Sequence, residues 1–186
     1  MAFPHLAEGD LLLIEARPGQ GKTLPGLRLL LEAIQCGRRA VFFTLEYKQA
    51  DRRARFDRLR GGIAGSATTQ STGVIEIGAS DDVSAGTIAD HLERAPRGTV
   101  AVIDYLQILD QDRRKSPLGE QVDVLHRLSR TQGAVLAVLS QIDRRFGVAQ
   151  GGLPTRDDVR LPNPVAMAAF NKTCFLNAGQ LRFGET

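Results

Sequence analysis

One octapeptide restricts this chain more than any other stretch: Ala16-Arg17-Pro18-Gly19-Gln20-Gly21-Lys22-Thr23. It follows the apolar run Leu11-Leu12-Leu13-Ile14 and precedes a helical pattern. Strand, glycine-rich turn and helix, in that order, are what a phosphate-binding loop requires. The backbone N–H groups of such a loop surround phosphates, and the helix behind it adds the positive end of its dipole. In that arrangement Arg17, Pro18, Gly19, Gln20 and Gly21 form the cradle. Lys22 reaches the β- and γ-phosphates, and the Thr23 hydroxyl goes to Mg2+. Ala16 stands where the usual pattern G-x-x-x-x-G-K-[ST] has its first glycine.

The flanking sequence predicts the sheet that holds such a loop. Apolar runs at 11–15, 40–45, 74–77, 99–104 and 134–139 read as strands. Helical patterns separate them. After the loop, Leu27, Leu30, Leu31 and Ile34 repeat at helical spacing, with Pro25 in the first turn and Gly37 as the stop. A second helix is expected over 48–60, a third over 84–94 behind the cap Ser84, and a fourth burying Leu118, Val122, Leu125 and Leu128. Near the C-terminus a short helix over 165–170 precedes two strands, 172–176 and 180–183, that flank Asn177-Ala178-Gly179 as a hairpin. Near-continuous apolar strands alternating with helices imply an α/β fold with a mostly parallel sheet covered on both faces, extended at one edge by the antiparallel hairpin. At 186 residues, 1–186 is expected to form one domain.

Composition excludes some classes. A net charge of +3 allows contact with a polyanion without demanding it. Cys36 and Cys174 have no metal-ligand spacing and read as reduced core thiols. The histidines His5, His91 and His126 are scattered, without metal or triad spacing. No apolar stretch reaches membrane-spanning length, and the first residues lack the pattern of a signal peptide, so the expected location is the cytoplasm.

In an open parallel sheet, ligands bind beyond the carboxyl ends of the strands. Four polar features follow apolar strands directly: the phosphate loop, Glu46, Asp104 and Ser140-Gln141. Asp104 ends a Walker B type of run, and its carboxylate is expected to hold Mg2+ opposite Thr23. Glu46 is the candidate base that orients and deprotonates an attacking water. Gln141 is placed to hydrogen-bond the γ-phosphate and to report its loss to the loop that follows, 144–164.

These residues, in this order, resemble the ATPase domain of the DnaB-family replicative helicases. The likeness runs through Glu8-Gly9-Asp10-Leu11, the phosphate loop with its alanine, Phe42-Phe43-Thr44-Leu45-Glu46, Val102-Ile103-Asp104-Tyr105-Leu106-Gln107, Leu139-Ser140-Gln141-Ile142-Asp143-Arg144 and Asp158-Val159-Arg160. It implies a RecA-like P-loop NTPase, a three-layer α/β/α sandwich, with ATP and Mg2+ as ligands and Glu46, Lys22 and Gln141 as the catalytic groups. It also implies a homo-oligomer, hexameric in the family, and single-stranded DNA as a partner. The expected departures from the family are a missing N-terminal domain and a missing linker helix. Lys172-Thr173-Cys174 supplies the lysine of a Lys-x-Arg finger without the arginine, leaving Arg182 as an alternative.

Two functions are therefore expected to compete. One is a DNA-stimulated ATPase of helicase type, with basic residues at 113–115 and 144–152 meeting the DNA backbone. Phe146 is the one obvious stacking group in that second stretch. The other is a nucleotide-gated regulatory or adaptor module that binds ATP without unwinding DNA. A small-molecule kinase is a third possibility, with the arginines of 52–60 as a lid, but Ser140-Gln141 does not suit it.

Overall fold

Apolar runs that cannot face water on either side become central strands, and this sets the architecture. The computed structural model describes residues 6–16, 21–44, 54, 57–58, 61, 74–78, 83–104, 106, 109, 115–141, 167–177 and 180–185. Its seven strands are β1 (Leu11–Ala16), β2 (Ala40–Thr44), β3 (Ile75–Ile77), β4 (Val100–Asp104), β5 (Val135–Gln141), β6 (Lys172–Asn177) and β7 (Gln180–Glu185). The helices with described bounds are α1 (Thr23–Gln35), α2 (Ala85–Leu92) and α3 (Leu118–Gln132), with a 3-10 turn at Met167–Ala169 and 3-10 backbone also at Leu106 and Leu109. Of the helix expected over 48–60, only Ala54, Asp57 and Arg58 are described, and they are helical.

The strands form one sheet in the order β3-β2-β4-β5-β1-β6-β7. All neighbours run parallel except β6 and β7. The terminal hairpin therefore joins the sheet through a parallel strand, and only β7 reverses direction. Alternation divides the core in two. Leu12, Ile14, Phe42, Val102, Ala137 and Leu139 meet Leu27 and Leu30 of α1 on one face. Leu11, Leu13, Phe43, Ile103, Leu136 and Val138 meet Ile88, Leu125 and Phe170 on the other. Helices on both faces of a mostly parallel sheet make three layers.

Two sequence expectations change here. The buried stripe of α1 is Leu27, Leu29, Leu30 and Ala33, while Leu31 and Ile34 are only partly buried. The helix is rotated because Gly26 faces the sheet and brings the axis close: a Cβ at Gly26 would lie 2.9 Å from Val102 Cγ1 and 3.3 Å from Leu139 Cδ1. Cys36 is exposed, not a core thiol, because it caps α1 just before Gly37 turns the chain away. Cys174 is buried, and burial pushes its thiol up to about 12.

Long-range polar contacts fasten the amino end of the sheet. The backbone N–H of Leu11 donates to Asn171 Oδ1 at 2.7 Å, and Asn171 Nδ2 donates to Asp10 Oδ1 at 2.5 Å. These bonds tie the entrance of β1 to that of β6. Near the β3 edge, Arg39 forms a fork on Glu76, with Nε to Oε1 and Nη2 to Oε2 both 2.8 Å. His91 Nε2 stands 3.4 Å from the same carboxylate.

Filling the space at Gly26 should be costly. Gly26→Val is expected to lower stability by roughly 1–3 kcal/mol in urea unfolding, since the side chains of Val102 and Leu139 are buried and cannot move aside. A second expectation concerns pH. The Arg39 guanidinium, with His91 beside it, holds the Glu76 carboxyl below its ordinary range. Its contribution is therefore present at neutral pH and lost as pH falls through the lowered value. Because the pair is partly exposed, Glu76→Gln should cost under about 1 kcal/mol at neutral pH. Urea unfolding of both proteins should show that gap closing as the pH falls below about 4.3.

Candidate functional site

The phosphate loop leaves the sheet from Ala16, and the described chain resumes at Gly21. Gly21 has φ 73°, and its carbonyl accepts from Leu24 N–H at 2.9 Å. This left-handed turn is one that glycine adopts without strain, and it delivers Lys22 and Thr23 to the start of α1. The N-cap residue Lys22 makes no side-chain cap bond, and the first turn of α1 holds no acid. By contrast, α2 opens with a full capping box, Ser84 and Thr87 bonding each other's backbone N–H groups. A helix start without a capping side chain or an acidic neighbour suits an anion, whose oxygens accept from the first-turn N–H groups.

Asp104 reaches this helix start from the far side of β5. It is the last residue of β4, lies on the α1 face and is 1% exposed. Thr23 Oγ1 donates to Asp104 Oδ2 at 2.8 Å. Lys22 Nζ stands 3.8 Å from Asp104 Oδ1. By directing its proton at the carboxylate, the threonine hydroxyl turns its lone pairs toward the open side. A hydroxyl and one carboxylate are hard oxygen donors, the type that Mg2+ takes when substrate phosphates complete its shell. Among the described residues no group of three or more His, Cys, Asp or Glu side chains could hold a metal by itself. The residues present thus fit a Mg2+ whose shell a nucleotide completes.

Gln141 ends β5, half-buried, and pairs in register with Ala16 at the root of the loop. Of the residues singled out in the sequence, Arg17, Pro18, Gly19, Gln20 and Glu46 lie outside the described residues, as do Arg113, Arg114 and 144–152. Lys115, expected at the DNA backbone, donates from its ammonium to the Val83 carbonyl at 3.0 Å. Lys172 opens β6 beside Leu12, at the end of the sheet away from Asp104. Arg182 is exposed on β7 opposite Phe175, nearer the carboxyl end.

Three residues to which the sequence assigns no role have a place in the structure. Gln121, buried on α3, accepts from Ala85 N–H at 3.1 Å and donates to the Leu109 and Ser116 carbonyls at 2.6 and 2.9 Å. It staples the segment that follows Asp104 to the starts of α2 and α3. Glu15 and Thr44 are buried polar residues at the ends of β1 and β2. Their signal is a polar residue closing an otherwise apolar run.

No protein-family model matches the chain, and no curated protein matches it by sequence. Solved structures do match. One of them, an ATPase domain, superposes with a TM-score of 0.68 over 92% of this chain and 70% of that one, at 19% identity. The chain has the RecA-like fold of the DnaB-like helicase ATPase domains. A DnaB-like replicative helicase, solved for its interactions with primase, gives 0.65 over 92% of this chain at 19% identity. The chain spans 48% of that protein's length. A KaiC-like protein, PH0186 from Pyrococcus horikoshii OT3, gives 0.54 over 90% of this chain and 70% of its own, at 16% identity.

The Thr23–Asp104 bond should be measurable without any ligand. Thr23→Val removes the donor from a buried carboxylate and is expected to cost about 1.5–3 kcal/mol in nucleotide-free urea unfolding. Thr23→Ser, which keeps the hydroxyl, should stay near the wild type.

Proposed function

We propose that this RecA-like domain binds ATP with Mg2+ and hydrolyses it, and that single-stranded DNA accelerates the hydrolysis. The observation that carries the reading is the meeting of Lys22, Thr23 and Asp104 at the carboxyl end of the sheet. Backbone N–H groups of 17–21 and the start of α1 take the phosphates. The Lys22 ammonium, 17% exposed and already held close to Asp104, shifts toward the β- and γ-phosphates as a point charge. Thr23 and Asp104 hold the cation, and bound Mg2+ supplies charge neutralisation of the phosphate oxygens. Glu46, two residues past the end of β2 in sequence, orients the attacking water and accepts its proton. Gln141, rooted beside Ala16, bonds the γ-phosphate and passes its loss to the segment after β5. Copies of the chain assemble so that an arginine from a neighbour completes the site. Such fingers contribute a factor of roughly 10³–10⁵ in rate, so the lone chain is a slow ATPase.

Phosphate release with and without single-stranded DNA tests this, with Lys22→Ala and Glu46→Gln as controls. The wild type should turn over ATP, faster with DNA. Lys22→Ala should lose nucleotide binding. Glu46→Gln should bind ATP but lose at least about 100-fold in rate, the contribution of a positioned base. A wild type no faster than Lys22→Ala would remove the enzyme reading. Hydrolysis or tight ATP binding that ignores DNA would favour a nucleotide-gated adaptor.

A further inference from the structure

Thr44 is the last residue of β2, and it is 1% exposed. Across the β2–β4 pair it is the register partner of Asp104. Alternation sets its face. Ala40 and Phe42 of β2 lie in the core beneath α1, as do Val100 and Val102 of β4, so Thr44 and Asp104 both stand on the α1 side. Paired parallel strands run about 4.8 Å apart, which makes the threonine and the carboxylate neighbours across a single strand spacing. Glu46, the proposed base, follows two residues later.

The hydroxyl breaks the apolar pattern of its strand. Ala40, Val41, Phe42 and Phe43 precede it, all apolar and buried. Valine has the same shape and would bury at this position without a hydrogen-bonding requirement. The polar group falls at the level of β2 where Asp104 is adjacent. That carboxylate has about four acceptor sites. One accepts from Thr23, and the other oxygen faces Lys22 at 3.8 Å. When the Lys22 ammonium turns to phosphate, the carboxylate loses that cation, and β2 offers a hydroxyl beside it.

Building on the ATP and Mg2+ reading above, we propose that Thr44 is a positioning residue for the divalent cation. Its hydroxyl acts through Asp104 and the water around the metal, fixing the carboxylate's orientation on the side of the site where β2 ends. Outer-shell partners of this kind typically change metal affinity by about 10–100-fold when removed.

The test is equilibrium binding of a fluorescent, non-hydrolysable ATP analogue, measured in EDTA and across a Mg2+ titration. Thr44→Val keeps the shape and loses the hydroxyl, whereas Thr44→Ser keeps the hydroxyl. Thr44→Val should raise the Mg2+ concentration for half-maximal binding by about 10-fold and leave affinity in EDTA unchanged. Thr44→Ser should restore the wild-type midpoint. Thr44→Ala serves as the second hydroxyl-free variant if Thr44→Val folds poorly, and the same shift is expected. An unshifted midpoint in the hydroxyl-free variants would overturn the inference while leaving the ATPase reading intact. So would equal weakening with and without Mg2+, since that marks packing alone. If the wild type itself bound no more tightly in Mg2+ than in EDTA, the metal-nucleotide reading would fall, and this inference with it.

Discussion

The hydrogen bond from the Thr23 hydroxyl to the Asp104 carboxylate joins two halves of the candidate site that are 81 residues apart in the chain. It exists only because several independent features agree. Gly21 turns the chain so that α1 begins on Lys22 and Thr23. Gly26 lets α1 settle directly on Val102 and Leu139, close enough for its first residue to reach the end of β4. The strand order then puts β5 between β1 and β4, so Thr23 meets Asp104 at a strand two places away from β1.

Much of this was legible in the sequence, and for one reason. A parallel sheet covered on both faces needs strands that are apolar at every position, so runs such as 134–139 stand out even without alternation. Polar groups are then pushed to the strand ends, which is where Asp104 and Gln141 were found by reading alone. The contacts that reading missed depend on register. Asp10 and Asn171 are 161 residues apart, and nothing local marks them as partners. Gln121 looks like an ordinary helix polar residue until three segments converge on it. The misjudged rotation of α1 has a different origin: a buried glycine carries no hydrophobic signal, yet it decides which side of the helix approaches the sheet. Glu46 follows from its place after an apolar strand and the cradle at 17–20 from the motif, and both lie outside the described residues.

The fold narrows the chemistry less than the strand ends do. An isolated ATPase domain, a DnaB-like helicase and a KaiC-like protein share this architecture with the chain at 16–19% identity. At that distance the scaffold is common property, and function resides in the side chains grafted onto it. A hydroxyl bonded to a buried carboxylate at the start of α1 is the local arrangement from which the proposed use of the scaffold is argued.

The bonds among Asp10, Asn171 and Leu11 carry a mechanical consequence. They clamp β1 to β6 at one end of the sheet, and the Gly98 N–H bonded to the Gly133 carbonyl joins the entrances of β4 and β5 at the same end. Sliding of these strands past one another is opposed at both ends: by these bonds at the amino end, and by the Thr23–Asp104 bond at the carboxyl end, where Ala16, Asp104 and Gln141 lie.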